Sequence, residues 1–145
     1  MRYILFFAAL LVASCATITP ENVLYKQYTA YSLEANEKNI RNTYSHYFSP
    51  NLLSGVNTIS PDASRQLLFK DYMTRYFNHF EKINGRQGCL TISGYDSENM
   101  PLTFNIEYAM EDRKWLIVEI DILFVNSVSE FPKLAKCPRE YLVNK

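Results

Sequence analysis

Several kinds of signal are missing from these 145 residues, and each absence narrows what the chain does. There is no glycine-rich phosphate loop, no metal-binding motif and no serine elbow, so nothing points to nucleotide hydrolysis, metalloenzyme chemistry or a serine nucleophile. No cofactor or metal is expected. Basic and acidic side chains balance at 15 each, and loss of Arg2 with the leader leaves 14 against 15. That removes the excess positive charge a nucleic-acid surface needs. Beyond residue 14 no apolar run approaches the roughly 20 residues that span a bilayer as a helix. There are only two histidines, His46 and His79, and three cysteines.

What is present begins with an address. Arg2 is followed by an apolar run from Tyr3 to Val12 and then by small residues, the layout of a secretory signal peptide. Val12-Ala13-Ser14-Cys15 resembles the lipobox of bacterial lipoproteins, an aliphatic residue and two small ones before the cysteine that receives a diacylglyceryl group. The alternative is an ordinary leader cut after Ala16, since Ser14 and Ala16 also form a small-x-small site. Both readings send the chain out of the cytoplasm. The lipobox resemblance implies residues 1–14 as leader, an acylated Cys15 with a short tether over 15–19, and an anchor of more than one acyl chain, which holds firmly where a single chain does not. Ala16, where Asp would favour inner-membrane retention, implies the periplasmic face of the outer membrane.

The mature chain would have 131 residues, the size of one compact domain over 20–145. With Cys15 acylated, Cys89 and Cys137 remain, and an oxidising compartment favours joining them. Two free buried thiols are the alternative. A zinc site or catalytic dithiol is disfavoured by their spacing and by the lack of a nearby histidine in sequence.

Thr19-Pro20-Glu21 reads as a helix start, with an N-cap, a first-turn proline and an acid near the positive dipole end. Leu24, Tyr28, Tyr31 and Ala35, then Ile40, Tyr44, Tyr47 and Phe48, recur mostly at three and four residues. This predicts one long amphipathic helix, bent near Asn36 to Asn39 and ended by Ser49-Pro50-Asn51. Residues 51–61 read as a linker. Leu68, Phe69, Tyr72, Met73, Tyr76, Phe77 and Phe80 then form a stripe that predicts a second helix. After a turn at Gly85 to Gly88 come three strands, Cys89 to Tyr95, Leu102 to Met110 and Lys114 to Val125, with connections short enough for hairpins. In the middle strand Leu102, Phe104, Ile106, Tyr108 and Met110 share the core face, and Thr103, Asn105, Glu107 and Ala109 a mostly wet one. The last strand is apolar on both faces, which predicts a place in the sheet interior.

Two helices before an antiparallel meander whose last strand opens Arg113-Lys114-Trp115-Leu116-Ile117-Val118-Glu119-Ile120-Asp121 resemble the NTF2-like, or cystatin-like, α+β superfamily. The resemblance implies a cone in which helices cross a curved sheet and enclose a pocket. It also implies a spread of roles, from binding and assembly factors to isomerases, dehydratases and cyclases, and fold alone does not choose among them.

An enzyme of that kind needs an acid or base facing the cone, so His46, His79, Glu107, Glu119 and Asp121 are the candidates. His46, near a helix end, reads as a partner for terminal carbonyls. His79, off the second helical stripe, reads as solvated. Glu119 and Asp121, two apart on a strand, share a face and read as two carboxylates in a solvent-facing groove between sheet and helix rather than an acid–base pair. No catalytic constellation emerges, and the chain is read as no enzyme. The unassigned surplus is tyrosine: Tyr25, Tyr28, Tyr31, Tyr44 and Tyr47 either edge the helix face over the sheet or line a ligand pocket or partner surface. The expected function is therefore a protein-binding accessory, assembly or pilotin-like lipoprotein of the envelope, held to the membrane by its anchor. A binder of small apolar ligands, an immunity protein against a secreted toxin and an NTF2-like isomerase or hydratase are the alternatives.

Overall fold

In a computed structural model the chain is described over residues 22–140, except Ile59 and Pro61. The expected leader, the acylated Cys15, its tether and the helix start at Thr19 to Glu21 lie outside the described residues. The architecture is α+β: a few helices against one four-stranded antiparallel sheet.

Helix α1 spans Val23–Glu34 and buries Leu24, Tyr28 and Tyr31, the face its spacing predicts. It stops because asparagine side chains compete with helical hydrogen bonds. Asn39 Nδ2 donates to the Glu34 carbonyl at 2.7 Å, its Oδ1 accepts from Asn36 N at 2.9 Å, and Asn36 Oδ1 accepts from Lys38 N at 3.0 Å. The expected bend is thus a full break, followed by a single turn, α2 (Ile40–Thr43), and a 3₁₀ turn (Tyr44–His46). Ser49-Pro50-Asn51 ends one element and starts another. Ser49 caps α3 (Pro50–Ser54), accepting from Leu52 N at 3.2 Å with proline in the first turn, so part of the expected linker is helical. A short α4 (Ala63–Leu67) and a 3₁₀ turn (Phe69–Tyr72) lead into the sheet.

The second expected helix is overturned. Its C-terminal half is β1, Arg75–Asn84, which pairs with β2, Gln87–Tyr95. The register skips Phe77, so a bulge sits between Tyr76 and Asn78. A bulged residue breaks the alternation of period two. Tyr76, His79, Glu81 and Ile83 consequently face the helices, while Phe77, Asn78, Phe80 and Lys82 face the other way. The steps Tyr76 to His79 and Phe77 to Phe80 then imitate helical spacing.

Strands β3 (Pro101–Glu111) and β4 (Lys114–Phe124) complete the order β1-β2-β3-β4. Gly85, at φ 60°, supplies the left-handed residue of the first hairpin, and Asp112 (45°) and Arg113 (64°) form the two-residue turn of the last. At Gly88 a Cβ would lie 2.7 Å from Leu24 Cδ1, so its bare backbone admits the start of α1.

β4 lies at the edge of the sheet, not in its interior. Its two-sided apolar character has another cause, because Glu107 pairs with Glu119 but Tyr108 with Ile117, leaving Val118 as a bulge. Before the bulge Trp115 and Ile117 face the core, and after it Ile120 and Ile122 do. Tyr47 and Ser49 close the edge beside this bulge: Ile117 N donates to the Tyr47 carbonyl at 2.8 Å, and Ser49 N to the Ile117 carbonyl at 2.9 Å.

The core between helices and sheet is filled with aromatic rings. Tyr31 stacks on Phe69 at 5.2 Å, Phe48 meets Tyr31 edge-on at 5.6 Å, and Phe69 meets Phe104 at 5.3 Å. Tyr31, Phe48, Phe104 and Tyr108 are each at most 1% exposed. The expected wet face is also wrong in its centre. Thr91, Ser93, Thr103 and Asn105 are buried beneath the C-terminal segment. Thr91 Oγ1 accepts from Lys136 N at 2.8 Å, and its single proton goes to Asn105 Oδ1 (3.0 Å) or the Lys136 carbonyl (3.2 Å). Cys89 and Cys137 are bonded, their Cα atoms 5.1 Å apart, as the cysteine parity predicts.

Candidate functional site

A polar cluster joining helix to sheet lies where the first turn of α1 crosses β1. The N-cap Asn22 makes no capping bond, and no acid stands in the first turn of α1. Glu81 of β1 takes that role instead, its Oε2 accepting from Tyr25 N at 2.9 Å. A carboxylate there satisfies an orphan donor and complements the positive end of the helix dipole. Beside it the His79 ring lies flat against Tyr25, centroids 3.6 Å apart at 6°. His79 Nδ1 meets the Tyr76 hydroxyl at 2.7 Å, and Nε2 meets Asn22 Oδ1 at 3.2 Å. A neutral imidazole fits both contacts, donating from Nε2 to the amide oxygen and accepting the tyrosine proton at Nδ1.

His79 is therefore not a solvated histidine, because its segment is strand and turns it toward the helices. With both nitrogens engaged and one ring face covered it ties α1 to β1 and is poorly placed to relay a proton to a substrate. Burial lowers its pKa below the usual 6.5, outweighing the opposing pull of Glu81. The folded state thus prefers the neutral ring while the unfolded chain protonates at its ordinary value. The resulting stability is full above that value and falls as pH drops through it toward the folded pKa. Unfolding free energy should decline as pH falls below the ordinary histidine value of 6.5, and His79→Gln should flatten that slope. An unchanged slope in urea titrations at each pH would remove His79 from the account.

Of the other sequence candidates, Tyr28 and Tyr31 are core residues. Burial drives both their pKa values upward, and the Tyr31 hydroxyl donates to the Leu67 carbonyl at 2.7 Å. The Tyr47 hydroxyl donates to Glu34 Oε2 at 2.9 Å. His46 is exposed beside the Tyr47 ring. Glu119 and Asp121 do share a face, but it is the face turned away from α1, where both are half-buried and the C-terminal segment reaches Glu119 through Arg139. Glu119 stands opposite Glu107 and is bridged by Arg139 at 2.9 Å, and Asp121 stands opposite Asn105. The bulge at Val118 and the strap over the sheet place them there, so the expected groove between sheet and helix does not hold them.

Tyr76, Glu81 and Asn22 are the members of the α1–β1 cluster that sequence reasoning missed. The alternation His79-x-Glu81 would have joined two of them had the segment been read as a strand.

Two openings flank these elements. A cleft of about 210 Å³ runs along α1 and β1 past Tyr25, Ser32, Leu33, Met73 and Tyr76. At the other edge of the sheet a groove of about 600 Å³ lies between α3 and the β3–β4 hairpin. Tyr44, Phe48, Leu53 and Leu116 give it apolar walls, and Glu111, Asp112 and Lys114 charge its rim. Among the described residues no group of three or more His, Cys, Asp or Glu side chains is placed to hold a metal ion, and no helix is long and apolar enough to cross a membrane. Neither a protein family, nor a curated protein, nor a solved structure matches this chain.

Proposed function

We propose that this chain is an exported, lipid-anchored protein of the bacterial envelope that acts without catalysis, by binding a protein partner as an accessory, assembly or pilotin-like factor. The observation that carries the binding role is the filled interior. Tyr31, Phe48, Phe69, Phe104 and Tyr108 occupy the space where a cone of the NTF2-like kind would hold a ligand. Room is left at the surface, and of the surface openings the groove between α3 and the β3–β4 hairpin has the apolar walls and charged rim of a protein interface. The fold is read as a filled NTF2-like cone, an arrangement with which helices on a four-stranded antiparallel sheet are compatible.

The address rests on the lipobox-like Val12-Ala13-Ser14-Cys15 and gains support from the Cys89–Cys137 bond, which belongs in an oxidising compartment and leaves Cys15 as the odd cysteine. Ala16 favours the outer membrane, with the domain in the periplasm.

A photo-crosslinking side chain placed at Ser54 or Thr58, in the groove, should give one dominant adduct with an envelope protein in intact cells. The same side chain at Glu98, in the β2–β3 turn, should not, and Cys15→Ala should abolish the adduct by displacing the protein. Identical adduct patterns from all three positions, or none from the groove, would sink the binding role assigned to it.

A further inference from the structure

The flank of the molecule around β1 exposes large apolar side chains that the partner-binding groove does not use. Leu33 of α1 is 81% exposed, Tyr72 in the 3₁₀ turn 46%, Tyr76 50% and the bulged Phe77 53%. Leu33, Met73 and Tyr76 line a single cleft, so this part of the surface is continuous. The bulge lets Tyr76 and Phe77 project from opposite sides of the same edge strand.

Asn22 marks where the chain leaves the described structure toward Cys15, and it lies beside this flank. Its Oδ1 is 3.2 Å from His79 Nε2, and His79 Nδ1 is 2.7 Å from the Tyr76 hydroxyl. Between Cys15 and Asn22 there are seven peptide steps, at most about 25 Å of chain. A domain of this size is roughly 35 Å across. An anchor at Cys15 therefore cannot let the far side of the domain approach the bilayer as freely as the surface around Asn22.

We propose that the β1 flank, with Leu33, Tyr72, Tyr76 and Phe77, rests on the surface of the membrane that holds the Cys15 anchor. The inference rests on the reading of Cys15 as acylated. Tyrosine suits the headgroup boundary, its ring meeting acyl chains while its hydroxyl keeps a polar partner, which for Tyr76 is His79 Nδ1. Charges of both signs border the flank, Lys70 pairing with Asp71 at 2.9 Å, Arg75 of β1 lying over the Tyr95 ring and Arg65 and Glu37 standing beside Tyr72, so the contact is apolar rather than a basic patch seeking anionic lipid. A contact too weak to hold the protein from solution becomes occupied once the tether supplies a high local concentration. Because the sheet order is β1-β2-β3-β4, seating the β1 edge on lipid turns the groove beside the β3–β4 hairpin toward the periplasm.

The test uses the mature chain from Cys15 to Lys145, its Cys15 thiol coupled to a maleimide-bearing lipid in phosphatidylcholine vesicles. Tryptophan is introduced by Phe77→Trp or, at the opposite edge, by Ser54→Trp, and its emission is compared in vesicles with and without lipids brominated near the headgroup. Emission from the Phe77→Trp protein, less that of the unsubstituted protein whose buried Trp115 is common to all variants, should fall on bromination, as for an aromatic ring at the interface, and the corresponding difference for Ser54→Trp should not. Adding Leu33→Ser, Tyr72→Ser and Tyr76→Ser to Phe77→Trp should relieve the quenching. Equal quenching at both positions, none at Phe77→Trp, or no relief by the serine substitutions overturns the assignment of this face. Mass measurement of the protein extracted from cell membranes reports separately whether Cys15 carries acyl chains, so failure of the anchor and failure of the face are told apart.

Discussion

Phe104→Ala is expected to lower the unfolding free energy by about 3–5 kcal/mol, a large part of the 5–15 kcal/mol that a domain usually has. The ring is 0% exposed and sits at the middle of the sheet, between Ile92 of β2 and Ile122 of β4 in the register, with Phe69 edge-on above it at 5.3 Å. Truncation removes its buried apolar surface and leaves a void that three rigid neighbours cannot close, which is why the cost exceeds simple transfer. Phe124→Ala is the internal control. That ring lies at the end of β4 and is 55% exposed, so its loss should cost under about 1 kcal/mol. Urea denaturation of both variants checks the pair. Equal losses would mean that the aromatic cluster does not carry the core.

Loss of the disulfide is the second large effect. Replacing Cys89 and Cys137 together by serine should destabilise the fold by about 2–4 kcal/mol; the chain-entropy model gives about 4 kcal/mol for their separation of 48 residues. The effect should be local as well as global, because the last described residues form no strand. Apart from the bond, the segment is held by the Lys136 contacts with Thr91, by Phe131 packed at 5.3 Å against Phe77, and by the ion pairs Arg139–Glu119 and Lys82–Glu140. Both ion pairs are exposed, and such pairs add little. Without the bond the strap should lift and let water reach Thr91, Ser93, Thr103 and Asn105. Faster amide exchange in β2 and β3, with a lower urea midpoint, is the expected pair of results. A loss below about 1 kcal/mol with unchanged exchange would show that the strap holds itself.

Much of the chain was legible without coordinates. The buried face of α1, the limits of β2, β3 and β4 to within two residues, their short hairpin connections and the pairing of Cys89 with Cys137 all follow from local spacing, turn chemistry and cysteine parity. The misreadings of β1 and β4 share one cause. At Phe77 and Val118 a single extra residue resets the alternation of a strand, so β1 resembles a helix and β4 an interior strand. A periodic pattern records which way side chains point only while the backbone keeps one repeat.

The candidate site was less legible than the fold. His79 was in view, but its partners Tyr25, Tyr76, Glu81 and Asn22 are up to 57 residues away in the chain or belong to the misread segment. Glu119 and Asp121 share one face as their spacing predicts, yet which face that is depends on the bulge at Val118 and what lies over it on the strap that carries Arg139. By itself the sequence determined the α+β class, the apolar face of α1, the meander of the last three strands and a lipobox-like start, because each is written within a few neighbouring residues. Only the tertiary structure decided that β1 is a strand, that β4 is an edge, that rings fill the interior and that the C-terminal segment covers the outer face. Those depend on which distant side chains reach the same space, and packing between remote segments leaves no repeat in the chain to read.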